Sequence, residues 1–212
     1  MNDPKGSLWR KWDLHIHTPA SFHWKGQRFV GMTPEQESAA LKSMVDKLAG
    51  GDVAAFGIMD YWTFDGYLKL RKFLAAQQPA LPCTVFPGME LRIEAPVDFR
   101  LNIQVILSDQ LSDQQLANFR SALLVNKQPL SDEALVQFAR TLDESKAKVH
   151  GFTPADLKDP VKLLELGSMT AKVTRESLQE GHRASAGELV PHHSALRHIQ
   201  RDRRPRLGKA PV

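Results

Sequence analysis

Asp13, His15 and His17 alternate with Trp12, Leu14 and Ile16 in the run Lys11-Trp12-Asp13-Leu14-His15-Ile16-His17-Thr18-Pro19-Ala20-Ser21. In a β-strand this period of two sends the apolar set to one face and the carboxylate with both imidazoles to the other. Thr18-Pro19 stops the strand just after the second histidine. Neutral imidazoles suit zinc, iron or manganese, and a strand end opening into a loop leaves room for a substrate. The chemistry to expect is that of a divalent metal ion. A half-exposed strand that happens to carry two histidines is the competing explanation of the motif taken alone.

A second candidate ligand follows a third predicted strand, around Thr84 to Phe86, in Pro87-Gly88-Met89-Glu90-Leu91-Arg92. A carboxylate at a strand end, behind a glycine that lets backbones approach closely, fits a bridging metal ligand. A surface glutamate in a turn has the same local sequence. Between the two motifs, Ser21 to Phe29 reads as a loop with aromatic and basic residues interleaved, in which Lys25 or Arg28 could meet a phosphate.

The elements that must position these residues are legible in order. Thr33-Pro34-Glu35-Gln36 opens a helix with a capping box, Leu41, Met44, Val45 and Leu48 form its apolar stripe, and Gly50-Gly51 ends it. Val53 to Met59 is a short apolar run typical of a buried parallel strand, ending in Asp60-Tyr61-Trp62, and Phe64 to Ala76 is the next helix. Leu91 to Glu94 and Phe99 to Leu107 suggest an antiparallel excursion and return. Ser112 and Ser131 cap two helices carrying Leu116, Phe119, Leu123 and Leu135, Phe138, Leu142, and a fragmentary helix spans Pro154 to Leu166. Strand and helix in alternation with short connections predict an α/β fold with parallel strands.

Composition bounds the rest. The 212 residues allow one domain with a sizeable core. No apolar run is long enough to span a bilayer, and the single Cys83 permits no internal disulfide, so a cytoplasmic location without membrane contact is expected. The net charge of +4 falls entirely after residue 174, because residues 1–174 carry 20 basic and 20 acidic side chains. The positive balance therefore marks no nucleic-acid face on the main domain. From about Arg175 the sequence is rich in arginine and histidine (His182, His192, His193, His198) without sustained apolar period. The expected division is a domain over 1–173 and a basic, disordered tail over 174–212.

Asp13-Leu14-His15-Ile16-His17-Thr18-Pro19-Ala20-Ser21 resembles the first motif of the PHP (polymerase and histidinol phosphatase) superfamily. With the flanking Gly6-Ser7-Leu8-Trp9-Arg10-Lys11-Trp12 it is similar to the N-terminal PHP domain of TrlF-type proteins, in which that domain precedes an AAA-like, SMC-like ATPase. The resemblance runs over roughly residues 6–170. It implies a partial, distorted β/α barrel and a metal-dependent phosphoesterase or nuclease-like activity. Divalent manganese, zinc or iron would be held by His15, His17, His23 and Glu90, with Glu90 bridging two ions. Asp60 would orient a ligand or the attacking water, and Arg92 would meet the substrate phosphate. The implied partners are a phosphoester, nucleic acid among them, and an ATPase domain or subunit.

Departures from the pattern shape a second reading. Asp60 is followed by Tyr61 where the family has a histidine, Asn102 or Gln104 stands where a later histidine is expected, and the late Asp-x-His ligands have no counterpart. No phosphate-binding Gly-x-x-x-x-Gly-Lys-Ser/Thr loop is present. Truncation or a shifted reading frame after about residue 170 is the expectation drawn from the change in composition. A catalytically degenerate PHP module that binds or regulates an ATPase is the alternative to an active enzyme.

Overall fold

The computed structural model describes residues 9–77, 80–97 and 100–186. Its centre is a curled four-stranded sheet, a half-barrel in the order β1 (Lys11–Ile16), β2 (Val53–Tyr61), β3 (Thr84–Ile93), β4 (Leu101–Ile106). The first three strands run parallel, and β4 returns antiparallel to β3. Seven helices are described. Helix α1 (Pro34–Ala49) and helix α2 (Asp65–Gln77) are the crossovers that parallel pairing requires. No helix among the described residues is long and apolar enough to cross a membrane.

Local signals account for most boundaries. The Thr33 hydroxyl accepts from Gln36 N, and Gln36 returns a side-chain oxygen to Thr33 N, the expected capping box. Ser112 and Gln115 repeat it at α3 (Asp113–Ala122), and Ser131 caps α4 (Asp132–Arg140). Leu41, Val45 and Leu48 face the sheet, where Phe56, Ile58, Met89 and Leu91 complete one core with Leu116 and Phe119. A smaller core joins Ala139, Ala147, Phe152, Leu163 and Leu166 of α4, α5 (Glu144–Val149), the loop after it and α6 (Pro160–Thr170).

Several expectations need correction. Strand β3 does not stop at Phe86. It continues to Ile93, so Glu90 lies within a strand between Tyr61 and Gln104 and not at a strand end. The cause is pairing on both sides, which keeps Pro87-Gly88 extended. Trp12, assigned to the apolar face of β1, is 64% exposed, because β1 is an edge strand whose register shifts break simple alternation. The fragmentary helix is a short 3-10 turn at Asp156–Lys158 followed by α6, which runs on to Thr170. A two-residue-strand hairpin, β5 (Leu124–Val125) and β6 (Gln128–Pro129), turns through Asn126 and Lys127, both at positive φ, and was not foreseen.

Part of the stretch expected to be disordered is helical. Residues Arg175–Ala186 form α7, which lies along α3. Its buried face is Ser177, Gly181 and Ser185, a stripe of small residues at helical spacing. A Cβ on Gly181 would stand 3.1 Å from the Phe119 carbonyl oxygen, so the two helices approach through the absence of side chains. The stretch 187–212, with His192, His193 and His198, lies outside the described residues.

Gly57 in β2 has a similar role beneath β1. A Cβ there would meet Leu14 O at 2.8 Å and Leu14 Cα at 3.0 Å. Neither is a flexible group that can step aside. Gly57→Ala is therefore expected to destabilise the chain by roughly 1–3 kcal/mol, read as a lower urea midpoint with unchanged slope.

Candidate metal centre

Period-two geometry assembles the site from all four strands of the sheet. Tyr61 pairs with Glu90, and Glu90 with Gln104, so these side chains share the face on which His15 and His17 arrive from β1 and its end. His15 Nε2 stands 3.1 Å from Glu90 Oε2, His17 Nε2 stands 3.8 Å from the same oxygen, and the two imidazole nitrogens are 3.3 Å apart. Ligand atoms bound about 2.0–2.2 Å from one tetrahedral ion stand roughly 3.4 Å from each other. The three atoms therefore already enclose a position of the right size. Among the described residues they form a group able to hold a metal.

The state of each atom supports that fit. Glu90 is 4% exposed and its Oε2 is buried without a hydrogen-bond partner. An orphaned carboxylate oxygen is costly, and a cation is what would compensate it. The other oxygen, Oε1, accepts from Tyr61 OH at 2.7 Å and from Asn102 Nδ2 at 2.8 Å. Burial, and the hydrogen bond to Glu90, push the Tyr61 phenol well above its usual range. Tyr61 is thus a neutral donor that holds Glu90, not a ligand. Burial first, then the neighbouring His15, lower the His17 pKa against the opposing pull of Glu90, favouring the neutral ring a metal needs.

Gln104 supplies the remaining orientation. Its side-chain nitrogen stands 2.5 Å from His15 Nδ1, so the amide as placed suits an unprotonated Nδ1. The same amide turned over presents its oxygen to a protonated Nδ1, freeing Nε2 to bind a cation. One glutamine serves both states, in the manner of outer-shell partners that set a histidine's tautomer. Asn102 and Gln104 occupy positions where the sequence suggested only a missing histidine.

The other residues singled out in the sequence fall around this centre. His23 is exposed and outside the ligand group. Its ring packs at 4.2 Å from Phe22 and 4.9 Å from Tyr61, centroid to centroid. Arg92 is 6% exposed on β3, two residues beyond Glu90, and donates to Asn102 Oδ1 and to the Ser168 carbonyl. Asp60 adjoins Tyr61 in the strand and so points to the opposite face. Its Oδ1 accepts from Thr18 N at 2.7 Å, and its Oδ2 lies 2.6 Å from Thr18 Oγ1. The carboxyl anchors the end of β1, directly after His17, rather than reaching the cluster.

Two tight fits reinforce that anchor. Gly66 at the start of α2 presses against Thr18 and Asp60 so closely that no Cβ could stand there. Trp62 turns the chain out of β2 at φ 64, a left-handed conformation unusual for a bulky residue. Its indole donates to the Ser168 carbonyl at 2.8 Å, and its own carbonyl accepts from Arg120 Nε at 2.9 Å. Surrounding bonds of this kind are what let such a conformation persist.

No protein-family model matches the chain, and no curated protein does. Among solved structures, it is similar to a protein of Bifidobacterium adolescentis described as an inferred metal-dependent phosphoesterase. The identity is 16% and the TM-score 0.38, over 84% of this chain and 51% of that one. It is also similar to an amidohydrolase from Chromobacterium violaceum, solved with bound sulfate and no metal. There the identity is 14% and the TM-score 0.38, over 74% of this chain and 48% of that one. The chain thus spans about half the length of either structure.

Burial raises the Asp60 pKa from 3.8 to about 7, outweighing the two Thr18 donors that favour the charged form. The folded state holds this proton more tightly than the unfolded chain. The associated stability is fully present below pH 3.8 and is lost as pH rises through about 7. Asp60→Asn keeps an oxygen for Thr18 N and donates to Thr18 Oγ1. Its unfolding free energy should fall less than that of the wild type between these two pH values, as chemical denaturation at matched ionic strength will show. Parallel pH profiles would count against this role.

Proposed function

We propose that the chain is a metal-dependent hydrolase of phosphoesters, with one divalent ion held by His15, His17 and Glu90. The observation that carries this reading is the unpartnered, buried Glu90 Oε2 facing two imidazole nitrogens at metal-ligand spacing. Two histidines and a carboxylate leave further positions open to water and substrate, the arrangement of a catalytic rather than a closed structural site. When bound there, a divalent ion supplies an acidified water and a Lewis acid for a phosphoryl oxygen. The protein's own contribution is orientation: Tyr61 and Asn102 fix Glu90, Gln104 fixes His15, and the Asp60–Thr18 pair fixes the strand end that carries His17.

A single ion fits better than the bridged pair implied by the family resemblance. Glu90 Oε1 is already engaged by two donors, so only Oε2 is free to bind. His23 would have to leave its packing against Phe22 and Tyr61 to contribute to a second ion. The Tyr61 phenol also favours the second reading, a PHP-like module whose remaining metal serves binding or regulation. Nucleic-acid ends as substrate, and an ATPase as partner, extend this proposal on the sequence resemblance.

Protein purified without chelator is expected to carry about one tightly bound metal per chain, measured by plasma mass spectrometry, and to lose it in His15→Ala/His17→Ala. With added manganese, hydrolysis of bis(p-nitrophenyl) phosphate should fall by about 10²-fold or more in that variant. Metal loss without any change in hydrolysis would trace the activity to a contaminant. Metal binding without hydrolysis would select the regulatory reading.

A further inference from the structure

Strand β1 leaves one of its two edges without a neighbour. The sheet begins with it, and among the described residues no strand pairs on its outer side. An open strand edge presents unpaired N–H and C=O groups, a template for another strand. No residue of β1 is fully buried. Trp12, its second residue, is among the large apolar side chains left exposed, and so is Trp9 just before the strand. Indoles held in water beside a bare edge lose hydrophobic free energy that a covering strand would recover.

The residues on either side of Trp12 say which strand that is. Lys11 and Asp13 flank it with opposite charges and share the face away from its indole. Over these three residues β1 itself is regular. Between Lys11 and Trp12 the extra residue is Ala54 of β2, and β1 carries its own only after Asp13. A second β1, laid antiparallel and centred on Trp12, sets each Lys11 directly across from Asp13 of the other copy. Cβ atoms so placed stand roughly 4.5–5.5 Å apart, within reach of an ion pair. The two indoles meet at the axis on the opposite face. Laid parallel and in register, the same strands would set Lys11 against Lys11 and Asp13 against Asp13, which disfavours that arrangement. A charge on an edge deters pairing with arbitrary strands and admits one that brings the opposite charge.

Both side chains are available. Asp13 forms no ion pair among the described residues, and its Oδ1 accepts from His15 N at 3.3 Å. Lys11 holds Asp52 at 2.5 Å, but both are largely exposed and such a surface pair is weak. Residues 1–174 balance 20 basic against 20 acidic side chains, so two copies do not repel at long range.

We propose that β1 is the self-association edge of this protein. Two copies pair their β1 strands antiparallel about a two-fold axis at Trp12, joining two four-stranded sheets into one. The occupant is a second copy because the order Lys11-Trp12-Asp13 complements itself, and a two-fold contact closes after two chains. The pairing gives the strand that carries His15 a neighbour on both sides. It does not depend on the hydrolase reading.

The full-length chain is followed by sedimentation equilibrium over a concentration series. The wild type is expected to pass from monomer to dimer without larger species. Lys11→Asp and Asp13→Lys, each alone, set like charges across the axis and should weaken self-association by about tenfold or more, with thermal melting confirming that each variant is folded. Mixed in equal amounts, these two variants bring opposite charges together again and should form a heterodimer of near wild-type affinity. Lys11→Asp/Asp13→Lys, which exchanges the charges, should dimerise by itself. A wild type that stays monomeric throughout overturns the proposal and leaves the edge to a strand of another protein. A dimer indifferent to both reversals overturns it by placing the contact on another surface. Failure of both the mixture and the exchanged chain to recover association overturns the antiparallel register centred on Trp12.

Discussion

One buried carboxylate sets the terms for the inner face of the sheet. Glu90 has two oxygens in two different situations: Oε1 is held by Tyr61 and Asn102, and Oε2 is left facing His15 and His17. An oxygen so placed, 5% exposed at the side chain, is stable only if something positive shares the space. The imidazoles can supply that charge by protonation, or a metal can supply it directly. The lowered His17 pKa weakens the first option. The site is therefore poised for a cation, and the residues around Glu90 serve to keep its carboxylate in that position.

Keeping His15 and His17 there is harder, because β1 is an edge strand with pairing on one side only. Three devices compensate. Gly57 lets the Leu14 backbone descend onto β2, the Asp60 carboxyl grips Thr18 by both its amide and its hydroxyl, and Gly66 lets α2 close over that grip. Asp60, which the resemblance would have orient a ligand or the water, is here bonded to Thr18. The division follows from strand geometry, since Asp60 and Tyr61 cannot both face the cluster.

The far end of β3 has the opposite electrostatic character. Arg92 and Arg100 lie on the Asn102 side of Glu90, and only neutral groups hold them. The Ser168 carbonyl ties this region to Trp62 as well as to Arg92, so α6 acts as the back wall of both.

Local chemistry was enough to read a good deal from the residues in order. The Thr33–Gln36 capping box, the parallel strand at Val53, the antiparallel return of β4 and the helices begun by Ser112 and Ser131 depend on neighbours within a few positions. The His15/His17 pair and Glu90 stood out because few residue types combine that chemistry with strand periodicity. Which of them meet was decided only by tertiary pairing. The Tyr61–Glu90–Gln104 register turned a suspected bridging ligand into one with a single free oxygen, and an apparent loss at Tyr61, Asn102 and Gln104 into a supporting shell. Helix α7 escaped notice because its buried stripe is serine and glycine, which carry no hydrophobic signal until α3 is seen lying against them.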